Sequence, residues 1–294
     1  MPKPNAKQRS RLKAKAIGVT GSLDAFRWTL QFDRLNILVE GDSWFAYPKQ
    51  WLVFGPNSNL ANHLFAPLVN RGLINTLCMA SNGDTAKQML SGKQADHLKK
   101  VLRQHGEDLH LMLFSAGGND VVGPKDLAPL INSFEPGFDA QACINRDNFD
   151  AKLADIVARY QRLLKLRDQY APEMQIICHT YDYVEPSDSP AEFLWGVEVT
   201  GPWIKPTLDR KGIPAALGGA IIQQLLIEFK DALVDLQQQT PTGFHVVDTQ
   251  GTLTPGKPAD WLNEIHPTPA GFKKIARKVY SRMKSEFPQL PAFQ

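Results

Sequence analysis

Leu35-Asn36-Ile37-Leu38-Val39-Glu40-Gly41-Asp42-Ser43 is the stretch that decides the fold. Leu35 to Glu40 is short, mostly apolar and free of a helical stripe, as a strand covered on both faces should be. Gly41 ends the run and permits a tight turn. Asp42 and Ser43 are residue types that favour turns. A serine is thereby placed just beyond the end of a core strand.

Four more runs of this kind follow. Residues 73–79, 109–114, 174–178 and 244–247 are short and apolar. Helical stripes lie between and after them. Leu153, Ile156, Val157, Tyr160 and Leu164 share one face of 150–168, and Ile221, Leu225, Phe229 and Leu233 one face of 214–238. After His266 the stripe is Phe272, Ile275, Ala276, Val279, Tyr280 and Met283. Strands alternating with helices predict a parallel five-stranded sheet with helices on both faces. Ligands of such sheets bind outside the carboxyl ends of the strands.

Three further blocks fall at those ends or on a comparable loop: Ser81-Asn82-Gly83-Asp84, Gly117-Gly118-Asn119-Asp120 and Asn263-Glu264-Ile265-His266-Pro267. Each alone is an ordinary turn. Together they supply a hydroxyl, two hydrogen-bond donors and an imidazole. A serine hydroxyl is a weak nucleophile until a base takes its proton. Negative charge developing on a carbonyl oxygen is stabilised by preorganised donors, each contributing roughly 3–4 kcal/mol. Gly83 can offer an unhindered N–H, Asn119 its side-chain amide, and Ser43 its own N–H. Among seven histidines, only His266 stands on a loop among polar neighbours able to orient it.

In order and spacing, the four blocks resemble those of the SGNH hydrolases, also called the GDSL family of esterases and lipases. The resemblance spans roughly 35–280. It implies a flavodoxin-like three-layer α/β/α sandwich and metal-free, cofactor-free hydrolysis of carboxylic esters. It also implies Ser43 as nucleophile, His266 as general base, and Ser43, Gly83 and Asn119 as the oxyanion hole. One departure stands out. The family's last block is usually Asp-x-x-His, and here Asn263 occupies the aspartate position. Asparagine can accept a hydrogen bond from an imidazole N–H but brings no charge. Asn263, Asp260 or neither orients His266 on this reading. Asparagine in that place also leaves open a module of the same fold that binds an acyl or glycan ligand without turning it over.

Composition narrows the remaining choices. The chain has 294 residues, 43% of them hydrophobic, enough for one sizeable α/β domain. No apolar run approaches the length of a transmembrane helix, and no secretory leader is evident, so a cytoplasmic protein is expected. Cys78, Cys143 and Cys178 fit neither a zinc pattern nor a set of paired disulfides. The first 15 residues carry six positive charges and no acid, although the whole chain stands at only +3. The body is therefore slightly acidic, and no nucleic-acid partner is expected. Residues 1–20 are expected to be a disordered basic tail, with at most weak contact to an anionic membrane, and 21–294 the catalytic domain.

Two stretches interrupt the repeat. Residues 46–60 form a Pro/Gly/aromatic insertion just after Ser43, and residues 185–213 hold four prolines with Phe193, Trp195 and Trp203. Both are expected to fold over the strand ends, where Trp44, Phe45, Trp51, Phe54, Trp195 and Trp203 could wall an apolar pocket. Rival motifs are absent. There is no Gly-x-Ser-x-Gly elbow. Gly251 to Pro258 nearly spells a phosphate-binding loop but places proline where a hydroxyl should hold Mg²⁺. His179 and Asp182 are too few to make a metal site.

Overall fold

The computed structural model describes residues 5–46, 59–69, 71–189, 191–193, 197–240 and 242–293. Its strands are β1 (Val19–Thr20), β2 (Leu35–Gly41), β3 (Ile74–Cys78), β4 (Leu111–Ser115), β5 (Gln175–His179), β6 (Ala191–Phe193), β7 (Val197–Thr200) and β8 (Phe244–Val247). Six of these form one parallel sheet in the order β1-β3-β2-β4-β5-β8, and β6 and β7 make a separate antiparallel hairpin. Every residue of β2 is buried. This confirms the reading of its sequence as a doubly covered central strand.

The helices are α1 (Ala6–Ile17), α2 (Leu23–Thr29), α3 (Ser43–Ala46), α4 (Leu60–Val69), α5 (Ala86–Met89), α6 (Gly92–His105), α7 (Gly118–Val122), α8 (Arg146–Tyr170), α9 (Lys205–Arg210), α10 (Ala215–Gln239) and α11 (Pro269–Glu286). α8 packs between α6 and α10 in one layer, and α4 packs on α11 in the other. The predicted stripes are the buried faces: Ile156, Tyr160 and Leu164 in α8, Ile221, Leu225, Phe229 and Leu233 in α10, and Phe272 to Met283 in α11. Tyr160 links a helix layer to the sheet, its ring edge-on to Phe114 in β4 and its hydroxyl donating to the Ala116 carbonyl at 2.8 Å.

Two expectations are corrected. The sheet has six strands rather than five, because β1 adds a parallel two-residue edge, pairing Val19 with Thr76 and Thr20 with Leu77. So short a strand carries no readable alternation. The supposed disordered tail is helical over Ala6–Ile17. Asn5 and Gln8 form a reciprocal capping box, and Gly18 closes the helix in the left-handed conformation, φ 64°. Asp24 at the start of α2 receives the Arg11 guanidinium at 3.2 Å and the Lys7 ammonium at 3.1 Å. Only Ala14 of this helix is buried, so it had no apolar stripe to announce it. No described helix is long and apolar enough to cross a membrane.

With β1 set aside, the order β3-β2-β4-β5-β8 reverses direction between β2 and β4, the switch point at which open α/β sheets bind ligands. Gly41 and Ser115 are register partners at the ends of these two strands. The loops carrying Ser43 and Asn119 therefore leave the sheet side by side.

Candidate active site

Ser43 opens the short α3, and Asp42 shapes the turn that presents it. The Asp42 carbonyl accepts the N–H of Phe45 at 3.1 Å and of Ala46 at 2.9 Å, while its Oδ1 accepts that of Trp44 at 3.0 Å. Gly41 is required by close approach. A Cβ there would lie 2.8 Å from Ser115 Cβ and 2.9 Å from its carbonyl oxygen. Gly117 has φ 106° and sits against Phe229, where a Cβ would meet the ring at 2.6 Å. It turns the chain into α7, which carries Asn119.

His266 comes from a loop more than two hundred positions further along the chain. Asp260 to Thr268 form a closed loop: Thr268 N–H donates to the Asp260 carbonyl, and Leu262 N–H to the His266 carbonyl, both at 2.9 Å. Thr268 then caps α11 and Pro269 takes the first turn, where its missing N–H costs nothing. This folding brings His266 Nε2 to 2.8 Å from Ser43 Oγ. On the far side of the ring, Nδ1 lies 3.0 Å from Asn263 Oδ1. The same amide oxygen accepts the main-chain N–H of His266 at 2.9 Å and of Ile265 at 3.2 Å. Three donors converge on Oδ1, so Nδ1 carries the proton and Nε2 is left to accept from the serine hydroxyl.

Of the sequence-predicted residues, Ser43, His266 and Asn263 are thus brought together. Asp260 is not: its carboxylate is held by the Lys274 ammonium and by Thr254 N–H, an arrangement that lowers its pKa. The Asp260 alternative is therefore corrected. Its main chain closes the loop, and its side chain is spent on α11. Asn119 lines the cleft beside Ser43, with Nδ2 donating to the Asp84 carbonyl at 2.9 Å and so tying its loop to that of Gly83. Gly83 itself is exposed at φ 83°.

Ser43 and His266 are 4% and 3% exposed. Burial pushes the His266 pKa down to about 3. The cleft next to Ser43 has apolar walls from Val122, Val184, Leu226 and Ile265. Trp44 also lines this cleft, as expected, although it is largely buried, whereas Phe45 belongs to the core. Trp44 stacks on His179 with ring centroids 5.0 Å apart, and its indole N–H reaches the Ile265 carbonyl at 3.3 Å. Trp51, Phe54 and Trp195 lie outside the described residues, as does most of the 46–60 insertion.

Beneath Ser43 lies a buried polar network that the sequence reading missed. Asp42 Oδ1 accepts from Ser115 Oγ at 2.9 Å, and Oδ2 accepts from the Tyr181 hydroxyl. His179 Nε2 stands 2.9 Å from Ser115 Oγ, and Tyr181 N–H donates to His179 Nδ1 at 3.3 Å. The directions are determined. Ser115 gives its only hydrogen to Asp42, so His179 must donate from Nε2, which leaves Nδ1 to accept. His179 is therefore neutral, and burial lowers its pKa to about 3. Burial raises the Asp42 pKa to about 6, with its hydrogen-bond donors opposing. Tyr181 has a positive φ of 58° that aims its ring under the site. These residues are scattered over 42–181, and only the strand ends of β4 and β5 marked where two of them would meet.

Among the described residues no group of three His, Cys, Asp or Glu side chains is placed to hold a metal. No protein-family model and no curated protein matches the chain. Solved structures do resemble it. A candidate GDSL-like lipase from Parabacteroides merdae aligns at 14% identity over 86% of this chain and 97% of its own, with a TM-score of 0.51. The lipase Lip_vut3 from a goat rumen metagenome aligns at 13% identity over 88% of this chain and 100% of its own, with a TM-score of 0.50. At such identities the likeness speaks for architecture alone: this chain has the three-layer α/β/α fold of these two lipase structures, with its parallel sheet covered by helices on both faces.

Proposed function

We propose that this chain is a serine hydrolase of carboxylic esters. One observation carries the reading: the unbroken hydrogen-bond chain from Ser43 Oγ through the His266 imidazole to Asn263 Oδ1. In this reading Nε2 of His266 takes the hydroxyl proton as Ser43 Oγ attacks the ester carbonyl. The resulting imidazolium returns that proton to the departing alkoxide, leaving an acyl-enzyme. Water then repeats the exchange and frees the acid. The N–H groups of Ser43 and Gly83 and the amide of Asn119 receive the oxyanion.

The cleft supports a short acyl group. Its cavity is about 20 Å³, room for about one water-sized group, and the lining is mostly apolar. Esters of acetate are accordingly the preferred substrates, ahead of long-chain lipids. The test is hydrolysis of aryl esters of increasing chain length, with fluorophosphonate labelling of wild type and Ser43→Ala. Labelling that depends on Ser43, with acetate turned over fastest, supports the reading. No turnover and no labelling across several conditions rejects it. The neutral Asn263 favours a second reading, a binding module of the same fold. That reading gains if acyl ligands bind Ser43→Ala and wild type alike and neither turns them over.

A further inference from the structure

Glu264 lies between Asn263 and Ile265 and is 2% exposed. A buried carboxylate is unfavourable unless donors satisfy it, and this one meets four. Oε1 accepts the N–H of Ser187 at 3.2 Å and of Lys205 at 2.8 Å. Oε2 accepts the N–H of Trp203 at 2.5 Å and of Ile204 at 2.7 Å. All four are main-chain donors of the 185–213 insertion. Trp203 to Lys205 lead into α9, which has no side-chain cap of its own, and Glu264 supplies the missing acceptor.

Trp203 is the residue this clamp sets in place. Its ring meets the imidazole of His266 edge-on, with centroids 5.5 Å apart and planes at 78°. The ring also lies over Gly201, where a Cβ would come within 2.7 Å of it.

We propose that Glu264 is a positioning residue: its four main-chain hydrogen bonds seat the Trp203 ring on His266 and so shield the base from water. This rests on the reading of His266 as the general base. Among the described residues, these neighbouring charged groups have partners of their own. Asp42 is held by Tyr181, Ser115 and Trp44, Asp182 by the main chain at Tyr183, Gly251 and Leu253, and Asp260 by Lys274. Lys205 pairs with Asp188 and Asp209. Burial is the cause of the low His266 pKa, and the Trp203 ring is part of what buries it.

The experiment is an NMR titration of the His266 imidazole in the full chain, run beside ester hydrolysis. Wild type should stay neutral to about pH 3. Trp203→Ala and Glu264→Gln should each raise the midpoint by about one unit or more, and Trp203→Phe should stay near wild type. The double variant should move no further than Trp203→Ala alone, since both changes act through one contact. Should Glu264→Gln fail to fold, Glu264→Asp carries the test, with a smaller rise expected. A midpoint unmoved in either single variant, or additive shifts in the double, overturns the proposal. Turnover with an unmoved midpoint removes this coupling and leaves the hydrolase reading standing. A moved midpoint without turnover does the reverse.

Discussion

Asn263 Oδ1 stands 3.0 Å from Nδ1 of His266, where a carboxylate would complete a charged triad. A neutral amide fixes the tautomer and the ring plane but gives the imidazolium no counter-charge. The site therefore has the geometry of a triad with weaker electrostatics.

Asn263→Asp tests that difference. A carboxylate beside the ring favours its charged form, commonly by about 1–3 pKa units. Turnover of an aryl acetate near neutral pH should rise by about tenfold, with the acid limb of kcat/KM moving up. Asn263→Ala removes the orienting acceptor, and turnover should fall by about a hundredfold or more. Equal rates in the three proteins would exclude Asn263 from the chemistry.

Tyr181→Phe tests the network under the nucleophile. The phenyl ring keeps its packing on Trp44 and Phe229 but takes a donor from the buried Asp42. A hydrogen bond to a charged group contributes about 1.5–3 kcal/mol. Urea unfolding should show a loss of that size. Because Asp42 also shapes the Ser43 turn, kcat should fall even where the protein remains folded.

Acid stability follows from the buried titratable groups. His179 and His266 are depressed to about 3, so between there and their usual 6.5 the unfolded chain binds two protons that the folded chain does not. Each histidine thus loses stability as pH falls through that window. Asp42 and Asp182, raised to about 6, and Glu40, raised to about 8, work oppositely: the folded form protonates first, so stability is gained as pH falls toward their usual values. Between about pH 4.5 and 6 the three acids take up more protons on folding than the two histidines give up, so stability rises slightly as pH falls through that range. Below about pH 4 the raised acids no longer oppose the histidines, and Asp260, whose pKa is lowered, adds to the loss, so stability falls by about 3 kcal/mol per pH unit or more. Denaturant midpoints should rise slightly as pH falls from about 6 to 4.5 and drop steeply below about pH 4. His179→Phe should make that drop shallower, and an unchanged slope would count against a neutral buried His179.

Gly41→Ala places a methyl group against Ser115 and Phe45, with contacts of 2.8 Å that neither the strand backbone nor the buried ring can relieve. Overpacking of this kind costs about 1–3 kcal/mol. Calorimetry should show a lowered Tm, and Ser43, two residues on, should lose reactivity toward a fluorophosphonate. A variant as stable and as reactive as wild type would mean that the end of β2 shifts freely.

Strands β2, β3, β4 and β5 were legible because each is a short, mostly buried apolar run, and α8, α10 and α11 because each carries one apolar stripe. Ser43, Asn119 and His266 were legible because each sits in a compact local block. The choice between Asn263 and Asp260 was not, since it depends on a loop closed by main-chain bonds that carry no side-chain signature. The 185–213 insertion gave no sign that Glu264 would bind it at Ser187 and again at Trp203 to Lys205, nor could spacing reveal that Ser115, His179 and Tyr181 gather around Asp42. Helix α1 was hidden for another reason. Its stability comes from a capping box and one acidic partner, whereas composition showed only a run of positive charge.

Ser43 and His266 are 223 positions apart in the chain. In the order of synthesis, Ser43, the Asn119 loop and all six strands of the sheet precede His266. A nascent chain that has not reached residue 266 can order much of its sheet around Ser43, yet the hydroxyl has nothing to receive its proton. On the proposed mechanism, reactivity appears only when the 260–268 loop and α11 dock, so a segment made long after Ser43 is the one that arms the site.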